Sequence, residues 1–359
     1  MPAQQATILI PDISGYTEFV SKTEIDHSSH ILNQLLETIV QSVNEDFVIS
    51  EVEGDAVLMY RTGNPPMKKE IIDQCVKIFT AFHNELREMS NDSICQCGAC
   101  KGIINLTLKF VVHFGTISEI KVARFVKASG LDMVIAHRLL KNSIGSHEYL
   151  LVTKNYLNNI PDADELHELS WTPSMEDYSS IGTVEFHFAL LAPVKKMIPE
   201  IPRQHDAVPS DDSSGVSIEM DVNFKDVYAV LINPEMRKYY AGDVRDVTFD
   251  APVPLLRAKH YCVFDNVTVE IEPMNVDISE HEIKLAEYER IPEMNYYSVF
   301  TSVVTNLGNN RCRLTYYVYP EEGHTIPPEM KAMIMEMGKA AQKNLKTLME
   351  SGDPLPVLV

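Results

Sequence analysis

The sequence predicts an α+β chain of two domains, and three observations carry that prediction. Through residues 1–192, short apolar runs alternate with segments of helical spacing. From 193 to 215 the chain holds Pro193, Pro199, Pro202 and Pro209 and then Ser210-Asp211-Asp212-Ser213-Ser214-Gly215, a stretch that cannot form a core and reads as an extended linker. From 216 to 359, alternating strand patterns follow one another and end in a long amphipathic helix. Length agrees, since 359 residues at 45% hydrophobic content exceed one ordinary domain and can fill more than one core.

Ala6-Thr7-Ile8-Leu9-Ile10 is the first strand, and Asp12 follows it in Pro11-Asp12-Ile13-Ser14-Gly15-Tyr16-Thr17. Ile13, Ser14, Gly15, Tyr16 and Thr17 read as a strand-to-helix turn whose free backbone N–H groups suit a phosphate. A hairpin turn holding Gly54 and Asp55 joins Phe47-Val48-Ile49 to Ala56-Val57-Leu58-Met59. Asp12 and Asp55, at two adjacent turn tips, can hold Mg²⁺ or Mn²⁺ beside a triphosphate. Taken singly, Asp12 is also what a helix N-cap uses and Asp55 what an ordinary turn carries. Ile31, Leu35, Ile39 and Val43 recur at helical spacing over 26–44, with Asp26 or Ser29 as the cap. A second helix is expected over 69–89, a strand over 106–112, a helix over 133–142, and strands over 148–153 and 182–191. His137 and His187 read as packing or hydrogen-bonding residues.

These residues resemble a family. Asp12-Ile13-Ser14-Gly15-Tyr16-Thr17 is similar to the first metal motif of class III adenylate and guanylate cyclases, and Glu53-Gly54-Asp55-Ala56 to the second. His113-Phe114-Gly115-Thr116-Ile117 resembles the family's His-x-Gly-x-Val strand and turn, and Gly130 to Leu139 its Asn- and Arg-bearing helix. The resemblance implies a ferredoxin-like cyclase-homology domain that forms a homodimer, with Asp12 and Asp55 on metal and Arg138 as the catalytic residue if the domain is active. The chain also resembles an uncharacterised bacterial family carrying the Ala136-His137-Arg138-Leu139-Leu140-Lys141-Asn142 variant of that helix.

The departures bear on activity. The family's purine-reading Lys is Glu51 here, which repels phosphate and cannot donate. Its transition-state Asn is Val134, which has no hydrogen-bonding group, and losing one such donor costs about 3 kcal/mol of barrier. A triphosphate-binding Lys has no counterpart at Ser179-Ser180-Ile181-Gly182. The expectation is a catalytically degenerate cyclase-like module; the alternatives are an active cyclase of ATP or GTP and a protein interaction scaffold.

Cys75, Cys262 and Cys312 sit in apolar contexts as small buried hydrophobes. Cys95, Cys97 and Cys100 fall within six positions of a loop, a spacing that can wrap a tetrahedral zinc with a fourth ligand such as His83 or His113. Free surface thiols or a redox-labile pair are the alternatives.

In the second domain, strands are expected over 216–222, 244–249, 259–264, 267–271, 283–288, 295–304 and 311–319, a short helix over 224–232, a turn at Asn233-Pro234, and a long helix over 327–349. That order is similar to the START-like, helix-grip (Bet v 1-like, SRPBCC) fold, a resemblance that implies an apolar ligand cavity under the long helix. Met330, Met333, Met337 and Ala341 would give it a soft wall, with Tyr296, Tyr297 and His260 as polar contacts. The same methionines would serve equally as core filler.

A formal charge of −20 disfavours duplex nucleic acid and anionic membrane surfaces as partners. The first residues lack a signal-peptide pattern and no apolar run is long enough to span a membrane, so a cytoplasmic protein is expected.

Overall fold

In the computed structural model the described residues are 3–21, 25–160, 169–200, 215–251, 254–352 and 355. By contacts they divide into two units, Met1–Ser90 with Lys101–Ile201, and Asn91–Cys100 with Pro202–Val359.

The first unit is built on β1 (Gln4–Ser14), whose apolar run Ile8-Leu9-Ile10 is fully buried. After it come α1 (Tyr16–Ser21), α2 (Ile25–Gln41), the hairpin β2 (Val48–Glu53) and β3 (Ala56–Thr62), and α3 (Lys68–Asp92). There follow α4 (Gly98–Gly102), β4 (Thr107–Val122), β5 (Phe125–Ser129), α5 (Leu131–Arg138), β6 (Tyr149–Thr153), α6 (Lys154–Asn159), β7 (Trp171–Tyr178), β8 (Gly182–Leu190) and α7 (Ala192–Met197). The sheet order is β2-β3-β1-β4-β6-β8-β7, with β5 paired to the far end of β4. β4 and β6 are parallel, which requires the crossover that α5 supplies; the other pairs are antiparallel. One core cluster joins Ile8, Ile10, Leu58, Val111 and Leu151 to Met133 and Ala136 of α5 and to Leu139, which caps it. Phe79 of α3 meets Phe110 of β4 with ring centroids 6.5 Å apart. The first part of the expected linker is the short helix α7, which tolerates Pro193 in its first turn; residues 201–214 lie outside the described residues.

The second unit runs β9 (Val216–Met220), α8 (Phe224–Ile232), α9 (Arg237–Tyr240), β10 (Asp246–Phe249), β11 (His260–Val263), β12 (Thr268–Ile278), β13 (Glu282–Ile291), β14 (Tyr296–Gly308), β15 (Arg311–Pro320) and α10 (Pro328–Glu350). Its seven strands are wholly antiparallel in the order β10-β11-β12-β13-β14-β15-β9. Asn223 caps α8 by accepting from Lys225 N–H, and Asn233 accepts from Glu235 N–H, so each asparagine stops or starts a helical turn. The C-terminal half of α10 is clamped to the sheet. Gln342 donates to Val216 O at 2.9 Å and Leu314 O at 3.2 Å, and Lys346 donates to Glu219 O at 2.8 Å. Buried Gly338 lets the helix approach Tyr316, to which an added Cβ would stand at 3.4 Å.

Candidate functional site

Four places carry chemistry: an acidic corner and a helix seat in the first unit, a thiol cluster, and a cavity in the second unit.

Asp12 lies inside β1, two residues before its end, rather than at a strand tip. It is opposite Ala56 on one side and Lys109 on the other. Asp55 sits at the tip of the β2–β3 turn, after Gly54 at φ 62°, and its carbonyl accepts from Ile13 N–H at 2.9 Å. Burial raises the Asp12 carboxyl pKa, Lys109 offsets this, and Asp55 raises it again. Burial likewise raises Asp55. Two carboxylates that repel each other in a partly dry corner suit a divalent ion, but Lys109 Nζ already stands 3.3 Å from Asp12 Oδ1. Lys109 was not singled out from the sequence, and its signal is the cross-strand register alone.

Ile13 and Ser14 are buried, Tyr16 is half-buried, and Gly15 and Thr17 are exposed. Ser14 Oγ is buried with no hydrogen-bond partner. Arg138 is exposed, its guanidinium 6.0 Å from the Tyr178 ring centroid, and Val134 is exposed beside it on α5. Glu51 is paired with Lys127 at 3.0 Å, and Glu53 with His137 at 3.0 Å.

The seat of α5 explains its motif. Asp132 accepts from Thr116 N–H at 2.6 Å and lies 2.9 Å from His113 Nε2, while His113 Nδ1 lies 2.9 Å from Thr153 Oγ1. A Cβ on Gly115 would fall 2.1 Å from Asp132 Cγ, so only glycine leaves room for that carboxylate. His83 Nε2 meets Thr107 Oγ1 at 3.2 Å, and burial lowers its pKa to about 4. His113 and His83 are thus each held by partners within the first unit.

Cys95, Cys97 and Cys100 lie in or beside a segment tied into the second unit by Ile94 N–H to Pro254 O at 3.2 Å and Tyr228 Oη to Ile94 O at 2.5 Å. Their sulfurs are within 4.8 Å of one another. A tetrahedral zinc with bonds near 2.3 Å sets its sulfurs about 3.8 Å apart, so small rotations would close the set. Cys97 N–H donates to Cys95 Sγ and Cys100 N–H to Cys97 Sγ, both at 3.4 Å, the backbone pattern that stabilises thiolates. Hydrogen bonds from the Cys100 thiol to Cys95 and Cys97, together with burial, push that thiol far up.

Between α10 and the second sheet is a cavity of about 480 Å³. Met330, Met333, Met337 and Ala341 line it, as do Phe264, Ile271 and Phe300. Met333 and Met337 are 51% and 52% exposed, so the methionine stripe is no close-packed core. Of the three polar residues named from the sequence, Tyr296 lines the cavity. Tyr297 instead stacks on His324 at 4.3 Å, and His260 is buried outside the lining with its pKa lowered by burial to about 2. The sequence reading missed the polar floor. Arg237 donates to both oxygens of Glu287 at 2.7 Å, and Glu289 faces the same space. Its signal was present: in β13, Glu287 and Glu289 fall on the same alternation phase as buried Ile283 and Leu285.

Among known proteins, a family described as a protein of unknown function (DUF2652) matches residues 32–149. The uncharacterized protein Rv2561/Rv2562 of Mycobacterium tuberculosis is 30% identical over 169 residues, 47% of this chain and 77% of the relative. The chain belongs to the family of that mycobacterial protein. Its structural neighbours over about half its length are cyclase domains. The catalytic core of a rhodopsin-guanylyl cyclase with converted specificity, solved with ATPαS, is 14% identical at a TM-score of 0.38, covering 52% of this chain and 98% of that one. Guanylyl cyclase Cya2 is 15% identical at 0.38, covering 52% and 92%. Adenylyl cyclase CyaB from P. aeruginosa is 14% identical at 0.36, covering 53% and 95%. Among the described residues no helix is long and apolar enough to cross a membrane.

Proposed function

We propose that the second unit is a helix-grip, START-like receptor for a small apolar molecule, carried in one chain with a cyclase-homology unit that is not an efficient nucleotide cyclase. The observation that supports this reading is the cavity of about 480 Å³, walled by methionines and aromatic rings. Its size falls in the range of small-molecule sites, roughly 300–1,000 Å³. Methionines that are half exposed at its edge form an adaptable apolar mouth. In the first unit, Glu51 and Val134 remove donors that cyclisation needs, which argues against efficient turnover. Asp12 and Asp55 remain candidates for weak Mg²⁺ or Mn²⁺ binding, in competition with Lys109. Val52, Ile120, Val122 and Val126, exposed by 46–65% on β2, β4 and β5, suit a homodimer contact. We read Cys95, Cys97 and Cys100 as three ligands of a structural zinc. The test is native mass spectrometry of the full chain purified without added lipid. An apolar molecule released on denaturation supports the receptor reading; a bare chain that also takes up no neutral apolar probe contradicts it.

A further inference from the structure

The polar lining of the cavity has an unequal charge balance, and this deepens the receptor reading by naming a ligand class. Arg237 is the sole cation among the described lining residues, and it is spent on Glu287, which it holds at 2.7 Å through both carboxylate oxygens. Glu289, two residues along β13, makes no side-chain hydrogen bond or ion pair among the described residues. The other acids of the lining, Asp243 and Asp265, are exposed, and Asp265 is paired with Arg245. The orphaned donors nearby are sealed off. Arg237 Nε and Tyr296 Oη are each buried without a hydrogen-bond partner, and neither atom is open to a ligand. Away from the exposed rim, the carboxylate that faces the space without a side-chain partner is Glu289, beside the Arg237–Glu287 pair and bordered by apolar side chains.

We propose that the cavity binds an apolar amine, its ammonium ion-paired with Glu289 and its hydrocarbon part against the methionine wall. Such a ligand brings the charge of Arg237, Glu287 and Glu289 together to zero, whereas a carboxylate ligand adds a second uncompensated anion. An ion pair with charge-assisted hydrogen bonds is strong in this low-dielectric setting, and the alkyl chain supplies burial. The inference rests on the receptor reading of the second unit.

The titratable groups facing Glu289 are Arg237 and Tyr240 from α9, Glu287 from its own strand, Tyr296 from β14, Tyr316 from β15 and Cys262 from β11. The lining part of α10 contributes no titratable side chain. Burial raises Tyr240 to about 12 and Cys262 to about 11, and lifts Tyr296 and Tyr316 further, so none of them changes charge between pH 5 and 8. Glu289 does, since burial holds its carboxyl at about 7. An alkylamine stays protonated over that range, as a lysine does.

The experiment is calorimetric titration of the full chain with octylamine, octanol and octanoate at pH 5 and pH 8. Octylamine is expected to bind at pH 8 more tightly than octanol, and octanoate more weakly than either. Octylamine affinity should fall about 100-fold at pH 5, two units below the Glu289 midpoint. In Glu289→Gln the amine preference and its pH dependence should vanish while octanol binding stays. Octanol binding with no amine preference at pH 8 overturns the inference and leaves the receptor reading standing. Binding of none of the three overturns both.

Discussion

Replacing Glu289 by Gln should stabilise the second unit, and only above mildly acidic pH. Burial holds the carboxyl at about 7 against an ordinary 4.5, with Arg237 opposing the shift and Glu287 adding to it. A carboxyl whose folded pKa is raised leaves the native state binding the proton more tightly than the unfolded chain. Its contribution is therefore fully present below pH 4.5 and is lost as pH rises to 7. At about 1.4 kcal/mol for each unit, that gap amounts to roughly 3 kcal/mol. Glutamine keeps the shape and drops the charge, so the variant should gain about 3 kcal/mol over the native chain at pH 8 relative to pH 4. Urea unfolding separates the units, because the single tryptophan, Trp171, reports the first, and far-UV dichroism reports both. The expected result is a variant whose second-unit midpoint pulls ahead of the native one as pH rises from 5 to 8. A stability difference that stays constant over that range would refute the placement of an unpaired, half-buried carboxylate in the cavity.

Other outcomes test other parts. With Mg²⁺ or Mn²⁺ the full chain should form neither cyclic AMP nor cyclic GMP at an efficient rate, and robust turnover abolished by Asp12→Ala would overturn the degenerate reading. Mn²⁺ affinity should rise in Lys109→Met, which frees Asp12, and be lost in the double Asp12→Asn, Asp55→Asn variant; equal binding by all three proteins would make both carboxylates structural. Protein prepared without added metal should carry close to one zinc per chain by elemental analysis, and should lose it when Cys97 becomes Ser; a metal-free chain would leave only free thiols. Gly115→Ala should cost about 2 kcal/mol or more in first-unit stability, since its methyl drives Asp132 off the Thr116 amide and His113; an unchanged tryptophan transition would argue against that seat.

What the sequence made legible followed from periodicity and turn chemistry. Alternation located most strands of the second unit, and α8 spans the expected 224–232 because Asn223 and Asn233 bracket it. The β2–β3 hairpin followed from Gly54, which takes a left-handed turn. Two strands escaped notice for physical reasons. β7 is a largely exposed edge strand without an apolar phase, and β5 is a short ribbon after the left-handed Ala123. In the acidic corner, the aspartates could be named but Lys109 could not, since it comes opposite Asp12 only through strand register. The cavity was similar. The methionines were visible as a helical stripe, whereas the carboxylates of β13 broke an otherwise apolar phase and were overlooked. The segment from Asn91 to Cys100 belongs to the second unit although it lies between helices of the first, a long-range placement that local pattern does not encode.

If the space beneath α10 takes up apolar molecules, a titration with a neutral probe detects it. A neutral apolar fluorophore, N-phenyl-1-naphthylamine, is added to the full chain and to Met337→Arg. Met337 lines the cavity and is half exposed, so the substitution places a charge in the apolar mouth without filling a close-packed core. Saturable binding to the native chain at one site is expected, with its loss in a Met337→Arg protein whose unfolding transition is unchanged. Absence of saturable binding to the native chain, or equal binding by the folded variant, would contradict it.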